Sequence, residues 1–373
     1  MFRFLRKIDW VLFFTATLIL GVSLLTLYSL SSSGGVNYFI RQLLFAIISL
    51  SVMFFVASMD YRHIAKYSTA LYFGTILLLL GVLLFGVTVR GTAGWISFGF
   101  VQLQPVELAK VTLIIFLASF ISQKKSELGE WTRVIASLIL SAILIFLVLK
   151  QPDLGSSLVL AAIWGGMILA SGLKWRQLLV LFLLGATLVT SSWFLLEPYQ
   201  KDRIFNFIHP ESDPQGTGYN VLQAIVAVGS GGLTGKGIGH GSQSQLNFLP
   251  EKHTDFIFAV VTEELGLVGA WLVLALYLVL LYRIKRIGDE AADNFGYLMA
   301  VGVLIMLFTQ ITINIGMNMG LLPVTGLPAP FLSYGGSSIL SVSLAFGLLL
   351  SVYSRKRGVQ DMHISLDRST LDV

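Results

Sequence analysis

The sequence has 373 residues, of which 55% are hydrophobic and only 12% are charged, and its mean hydropathy is +0.81. Soluble domains carry about 25% charged residues, so this composition excludes an ordinary soluble protein and indicates a membrane protein. The absence of cysteine excludes disulfide bonds, thiol chemistry and thiolate metal ligands.

Apolar runs of about 20 residues, the length that crosses a hydrocarbon core, recur about ten times along the chain. The first run has the length of a span and lacks a small-x-small cleavage site at its end, so we interpret it as an uncleaved first helix. The pattern predicts an all-α polytopic membrane protein with about ten transmembrane helices. They are placed near residues 11–31, 39–58, 68–89, 104–122, 131–149, 154–172, 178–197, 256–282, 295–320 and 333–354.

The Lys and Arg residues predict the orientation of these helices. An even number of spans puts both termini on one side, and short cytoplasmic loops carry an excess of basic residues. One side holds Arg3, Arg6, Lys7, Arg62, Lys66, Lys124, Lys125, Arg133, Lys174, Arg176, Arg283, Lys285, Arg286, Arg355, Lys356 and Arg357. The short loops of the other side hold Arg41, Arg90 and Lys150. We therefore predict cytoplasmic termini, and the net charge of +5 reflects this topology rather than nucleic-acid binding.

The chain is predicted to form a single membrane domain over residues 1–373, with a long loop at 198–254 and a short cytoplasmic tail at 355–373. The long loop joins the seventh and eighth helices and is extracytoplasmic in this topology. It is rich in Gly, Pro and Ser, but its piece "VLQAIVAV" is typical of a short interfacial or re-entrant helix. A second irregular stretch at 320–338, called here the Gly/Pro segment, lies on the same side. Irregular backbone at membrane depth must be buried in protein or line a wet cavity.

Glu107 and Lys110 lie three residues apart at the predicted outer end of the fourth helix, so they share one face and can pair. A charged side chain costs about 2.5–3.5 kcal/mol at the centre of a bilayer and less near its edge. One interpretation is a self-neutralising pair that only fixes the helix, and the other is a functional site. The spacing fits both.

Asp153 and Asp255 occupy the predicted outer starts of the sixth and eighth helices. An aspartate at a helix start is favourable through capping and the helix dipole, so both residues fit a structural role. The same positions face any cavity that the helices enclose on the outer side, which fits a catalytic or binding role. Because Glu107, Lys110 and both irregular stretches fall on this side as well, the clustering predicts an extracytoplasmic functional site.

Glu263 and Glu264 lie about two turns into the predicted eighth helix. Adjacent acids on a helix point apart, so at least one of them is expected to pack against polar partners, and neither is assigned a catalytic role. The five histidines show no i,i+4 pair or other metal-ligand spacing, so a structural zinc site is not expected.

Four segments together resemble the SEDS family of bacterial cell-wall polymerases, and the resemblance extends over nearly the whole chain. They are "GSGGLTGKGIGHGSQSQLNFLPEKHTDFIFAVVTEELGLVG", "QPVELAK", "KQPDLGSS" and "PVTGLPAPFLSYGGSS". The form of the first segment is that of the elongation branch of the family. Val106 stands where the family usually has Ser, a departure that leaves Glu107 and Lys110 in place.

The resemblance implies a peptidoglycan glycosyltransferase of the bacterial cytoplasmic (inner) membrane, which joins lipid II units into β-1,4 glycan strands for cell elongation and rod shape. Asp255 matches the essential aspartate of the family, and its implied role is the general base of an inverting transfer. The implied partners are an undecaprenyl-diphosphate-linked glycan strand, a class B penicillin-binding protein that crosslinks the product, and other proteins of the elongation machinery.

The leaving diphosphate develops negative charge that must be met by cations placed in advance. Lys110 is the first candidate for this role. The substrate and its diphosphate are predicted to contact Lys110, Glu107, Asp153, Arg203, Lys236 and Ser333. A divalent cation such as Mg²⁺ or Mn²⁺ would suit the hard oxygen ligands of diphosphate and carboxylates, and no organic cofactor is expected.

Two alternatives belong to other classes. A transporter that flips lipid-linked cell-wall precursors would usually place charges near the midplane of the membrane and show inverted repeats with paired broken helices. Neither feature is evident in the sequence. A non-catalytic scaffold for a cell-wall synthase would leave the acidic side chain at position 255 replaceable.

Overall fold

The computed structural model describes residues 8–34, 37–89, 92–98, 101–123, 130–173 and 217–371, with individual positions between 176 and 207. The helices described over continuous ranges are α1 (Trp10–Gly34), α2 (Tyr38–Ser58), α3 (Tyr61–Lys66), α4 (Ser68–Phe85), α5 (Pro105–Ser122), α6 (Glu130–Leu149), α7 (Leu154–Ala170), α8 (Thr217–Ser230), α9 (Ser242–Gln245), α10 (Ile257–Asp289), α11 (Asn294–Asn318) and α12 (Gly336–Leu371). The strands are β1 (Val87–Val89), β2 (Thr92–Phe98) and β3 (Val101–Leu103).

The all-α polytopic membrane fold is confirmed. Within the described residues, 8 helices are long and apolar enough to cross a membrane, and α7 is a shorter apolar helix at the predicted sixth span. The predicted seventh span at 178–197 lies largely outside the described residues. The loop piece "VLQAIVAV" forms part of α8, as its apolar character predicted. The predicted tail at 355–373 continues α12 as a helix to Leu371.

The sheet between α4 and α5 was not predicted, and the third helix is shorter than the predicted range of 68–89. α4 ends at Phe85, and the N–H of Gly86 donates to the carbonyl of Val82 at 2.7 Å. The β-branched residues that follow form β1 rather than a last helical turn. β2 pairs antiparallel with both β1 and β3, which gives a three-stranded meander.

Among the described residues, three ion pairs that join different elements lie at the end of the bundle that holds the start of α1 and the end of α10. Asp9, which is 1% exposed, accepts hydrogen bonds from the guanidinium of Arg283. The other two pairs join Arg62 to Asp293 at 3.0 Å and Arg355 to Asp60 at 3.3 Å. The starts of α5, α7 and α10 lie at the opposite end, which carries the irregular segments.

The glycine-rich loop at residues 231–246 is held against α10 by the two adjacent glutamates. Glu263, which is fully buried, accepts hydrogen bonds from Lys236 Nζ at 3.0 Å and from the N–H groups of Gln243 and Ser244 at 2.9 and 3.0 Å. Glu264 accepts from Ser29 Oγ at 2.5 Å and from Gln245 Nε2 at 3.0 Å. The expectation that at least one of these acids packs against polar groups is confirmed for both.

α10 is interrupted at Gly266, whose φ of 66° and ψ of −161° belong to a region that essentially only glycine adopts. The loop satisfies the backbone groups next to the break. The N–H groups of Lys236 and Gly237 donate to the carbonyls of Glu263 and Glu264, each at 3.0 Å, and Leu267 N–H donates to Gly232 O at 2.9 Å. Irregular backbone two turns into a membrane helix is therefore buried and hydrogen-bonded by protein.

Candidate active site

A cavity of about 320 Å³ lies at the end of the bundle opposite the three ion pairs. Its walls come from β2, from the starts of α7 and α12, from α8, from the turn before α10 and from the Gly/Pro segment. The lining residues are Thr92, Trp95, Gln104, Pro152, Asp153, Asn220, Glu251, Thr254, Asp255, Phe256, Val324, Thr325, Gly326, Pro328, Tyr334, Gly335, Gly336, Ser337 and Ser338. The cavity therefore brings together Asp153 and Asp255, which are about 100 positions apart in the sequence.

Asp255 stands in a tight turn immediately before the N-cap residue of α10, Phe256. The turn depends on Glu251, which has a left-handed φ of 50° and whose carbonyl accepts from the N–H groups of Asp255 and Phe256 at 3.1 and 3.3 Å. A Cβ added to Gly326 would lie 3.8 Å from Asp255 Oδ2, so the carboxylate faces the Gly/Pro segment. The turn thus directs an acid at the cavity wall formed by that segment.

Ser333 is buried behind this turn and holds two walls of the cavity together. Its Oγ donates to the carbonyl of Thr254 at 2.6 Å and accepts from the N–H of Ala329 at 2.8 Å. The next N–H, of Tyr334, donates to the carbonyl of His253 at 2.9 Å. The structure thus gives Ser333 a positioning role, and direct substrate contact by Ser333 stays a prediction.

Asp153 combines the two roles that the sequence offered, because it caps α7 and also lines the cavity. Its Oδ1 accepts from the N–H of Ser156 at 2.9 Å, and its Oδ2 lies 3.5 Å from Gln104 Nε2. Burial raises the pKa of Asp153 above its ordinary value of 3.8; the hydrogen bonds from Ser156 and the charge of Lys110 oppose this shift, and Glu107 adds to it.

Glu107 and Lys110 form the predicted pair within α5, with 2.6 Å between Lys110 Nζ and Glu107 Oε1. Lys110 is fully buried, and the other carboxylate oxygen of Glu107 accepts from Ser341 Oγ at 3.0 Å. Neither residue is among those that line the cavity. The two charges shift the pKa of Asp153 in opposite directions, Lys110 downwards and Glu107 upwards. Direct contact of Lys110 with a diphosphate stays a prediction.

The two other predicted cations are placed differently. Lys236 pairs with Glu263 and donates to Ser242 Oγ at 2.8 Å, so it fastens the glycine-rich loop and does not line the cavity. Arg203 lies outside the described residues. Diphosphate binding by either residue stays a prediction.

Three buried polar residues around Asp255 were missed by the sequence reasoning. Lys252 is 8% exposed; its Nζ donates to the carbonyl of Ser244 and to Asn247 Oδ1, the latter at 2.8 Å, and burial lowers its pKa. Asn314 and Asn318 lie on α11, fully buried. Their i,i+4 spacing in an apolar helix was the available signal, because buried amides in a membrane span require partners.

No set of three or more His, Asp or Glu side chains is arranged to hold a metal ion among the residues that the structure describes. The carboxylates that line the cavity are Asp153, Asp255 and Glu251. A divalent cation at the diphosphate stays a prediction.

The fold and the cavity define a multi-pass membrane protein with an acid-lined site at one end of its helix bundle. A family model described as a cell cycle protein, FTSW_RODA_SPOVE, matches residues 4–358. The chain therefore belongs to the FtsW/RodA/SpoVE family, which is the SEDS family that its motifs resemble.

Individual relatives agree with this assignment. The peptidoglycan glycosyltransferase MrdB of Escherichia coli (strain K12) is 41% identical over 311 residues, which cover 83% of this chain and 84% of MrdB. A chain from a peptidoglycan synthase complex, described as coordinating polymerization and crosslinking, superposes with a TM-score of 0.80 at 30% identity, over 94% of this chain and 98% of that chain. The crystal structure of the rod shape determining protein RodA of Thermus thermophilus gives 0.71 at 29% identity, over 94% and 97%.

Proposed function

We propose that this peptidoglycan glycosyltransferase polymerises lipid II with Asp255 as its general base. The observation that carries the proposal is the cavity that Asp255 shares with Asp153 at one end of the bundle. The enzyme class agrees with the related MrdB, and the elongation role agrees with MrdB and RodA. The choice of base rests on the family resemblance and on the position of the Asp255 carboxylate at the cavity.

The proposed reaction is a single inverting displacement. The carboxylate of Asp255 takes the proton of the 4-hydroxyl of the acceptor GlcNAc while that oxygen attacks the anomeric carbon of the donor strand. The new C1–O4 bond forms as the bond from C1 to the phosphate oxygen breaks, and undecaprenyl diphosphate leaves with the bonding electrons. A sugar hydroxyl is a weak nucleophile, and a positioned base accelerates such a step by about 10²- to 10⁴-fold.

Asp153 and Lys110 suit the diphosphate side of this reaction. A carboxyl group whose pKa is raised by burial repels phosphate oxygens less, and in its protonated form it donates a hydrogen bond to them. Lys110 supplies the positive charge nearest to Asp153 within α5, and it is fixed by Glu107 before substrate arrives. Charge that is oriented in advance stabilises a developing anion without reorganisation.

The proposed setting is the bacterial inner membrane, with both termini in the cytoplasm and the cavity on the outer face. The structural relative from a peptidoglycan synthase complex supports a crosslinking partner, and we assign that role to a class B penicillin-binding protein within the elongation machinery. The donor is an undecaprenyl-diphosphate-linked glycan strand, and the acceptor is lipid II.

The test is polymerisation of lipid II by the purified protein with its penicillin-binding partner. We expect Asp255→Asn to abolish glycan strands while the complex stays intact, because an amide has no basic oxygen for the hydroxyl proton. Asp289→Asn is the matched control, since it removes a half-exposed acid at the far end of the same helix. Wild-type polymerisation by the Asp255→Asn protein would rule out the proposed base.

Flipping of labelled precursor in sealed vesicles, measured on the same proteins, separates the enzyme from the transporter. Loss of polymer without a change in flipping is the expected result. If Asp255→Asn stopped flipping and polymerisation were absent from the wild-type complex, the transporter class would take the place of the enzyme.

A further inference from the structure

Asn314 and Asn318 lie one turn apart at the end of α11 near the cavity, and both are fully buried. Their spacing puts both amides on one face of the helix. A buried amide without hydrogen-bond partners costs about 1–3 kcal/mol in proteins. The hydrogen bonds that these two side chains make therefore indicate their structural role.

Both amides hold the backbone of Asp255. Asn314 Nδ2 and Asn318 Nδ2 donate to the Asp255 carbonyl at 3.1 and 2.9 Å. The same Nδ2 of Asn314 donates to the carbonyl of Leu327 at 2.8 Å, and Asn318 Oδ1 accepts from the N–H of Ala259 at 3.0 Å. The pair thus ties together the turn that carries Asp255, the first turn of α10 and the Gly/Pro segment.

The contact from Ala259 replaces an ordinary helix cap. The first N–H groups of a helix lack partners within the helix, and a side chain of the cap residue usually accepts from one of them. The N-cap residue of α10, Phe256, makes no such bond, and the N–H of Ala259 is satisfied by Asn318 from another helix. The sequence suggested that Asp255 could cap this helix. In the structure, Asn318 accepts the hydrogen bond that a capping residue would accept.

The orientation of Asn314 is also determined. Its Nδ2 faces two carbonyl oxygens, so a rotated amide would place Oδ1 against them and lose both hydrogen bonds. Its Oδ1 is buried and accepts no hydrogen bond from the residues that the structure describes. Asn314 therefore joins the carbonyls of Asp255 and Leu327 through a single amide nitrogen.

We infer that Asn314 and Asn318 are positioning residues that set the reach of the Asp255 carboxylate into the cavity. This inference rests on the proposed role of Asp255 as the base. With Ser333 and Tyr334 on the two preceding carbonyls, the three successive carbonyls of His253, Thr254 and Asp255 are each held by a group from α11 or the Gly/Pro segment. Misplacement of a reacting group by about 1 Å can lower a rate by about 10²-fold.

The experiment measures kcat and KM for lipid II in the complex, with the thermal unfolding temperature of each protein. We expect Asn318→Ala and Asn314→Ala to lower kcat by about 10- to 100-fold and to leave KM within about 3-fold, because the base moves while the rest of the cavity stays. Gln310→Leu is the control. Gln310 is a buried amide one turn before Asn314 on the same face of α11, and its Oε1 accepts no hydrogen bond from the described part of the chain.

The outcomes separate the two levels of the proposal. Inactivity of Asp255→Asn together with wild-type kcat in both asparagine variants overturns the positioning role and leaves the base intact. A fall in kcat that simply follows the unfolding temperature, and that Gln310→Leu shares, also overturns it. If Asn318→Ala does not fold, Asn314→Ala carries the test, since it removes no cap from α10. Full activity of Asp255→Asn is instead a failure of the proposed function.

Discussion

At the scale of single residues, the Glu107–Lys110 pair is the point where a structural and a functional interpretation compete. The pair is buried with 2.6 Å between its charged atoms, and Ser341 satisfies the second carboxylate oxygen. Removal of one partner from a buried ion pair typically costs about 3–5 kcal/mol, whereas replacement of both by neutral groups is often neutral or stabilising. A double variant therefore separates the stability of α5 from its chemistry.

We predict that Lys110→Met alone lowers the free energy of unfolding by about 3–5 kcal/mol, and that Glu107→Gln/Lys110→Met recovers most of this loss. Polymerisation should be lost in both variants, because each lacks the positive charge that we propose stabilises the leaving diphosphate. Unfolding in detergent and lipid II polymerisation are measured on the same preparations. A stable double variant with wild-type polymerisation would show that the pair only fixes the helix.

At the scale of elements, the glycine-rich loop and the interrupted α10 act as one unit. The loop approaches so closely that a Cβ on Gly231 would lie 2.0 Å from the carbonyl oxygen of Thr262, and one on Gly235 would lie 2.1 Å from that of Glu264. Lys252 connects the loop to the turn that carries Asp255. Its Nζ donates to the carbonyl of Ser244, and the N–H of Ser244 donates to Glu263. The loop therefore supports the segment that carries the proposed base.

Gly231→Ala is predicted to detach this loop, because its methyl group would collide with main chain that cannot move aside cheaply. Gly229→Ala is the matched control two residues earlier, at the end of α8, where an added Cβ meets nothing within 4 Å. There alanine should be neutral or stabilising by up to about 1 kcal/mol. Limited proteolysis of the loop, read with the unfolding temperature, compares the two. Equal cleavage rates would show that the loop is not docked on α10.

The elements also show what the sequence could and could not predict. Membrane thickness imposes long apolar runs, so the spans that the structure describes begin within a few residues of their predicted starts. Their ends agree less well, because α4 stops at Phe85 while α10 and α12 continue as helices past the predicted ends at 282 and 354. The predicted third span included β1, because Val87 and Val89 continue the apolar run of the helix before them. The contact of Ser29 with Glu264 joins positions 235 residues apart, and no local pattern encodes it. Asn318 is also distant in sequence from the start of α10. The residues around Asp255 therefore could not predict that Asn318 accepts the hydrogen bond of the Ala259 N–H.

At the scale of the whole molecule, the two ends of the bundle differ in kind. One end closes with ion pairs, including the buried Asp9–Arg283 pair, and the other opens into the cavity. Arg283 follows Asp255 by 28 residues, which at the helical rise of 1.5 Å per residue corresponds to a chain length of about 40 Å, comparable to the thickness of a bilayer. The proposed reaction uses lipid II on the outer side of the membrane. The cavity must therefore open on that side.

The absence of cysteine allows this orientation to be measured with single introduced cysteines. Leu246, in the loop, is 65% exposed, and the side chain of Lys285, at the far end of α10, is also 65% exposed. We predict that a membrane-impermeant maleimide labels Leu246→Cys in intact cells and labels Lys285→Cys only after permeabilisation. Lys285→Cys loses an exposed ion pair with Asp289, which is worth about 0–1 kcal/mol, so folding should be retained. Labelling of both cysteines in permeabilised cells is the control for access to each site. The reverse pattern in intact cells would place the cavity on the cytoplasmic side and exclude the proposed reaction.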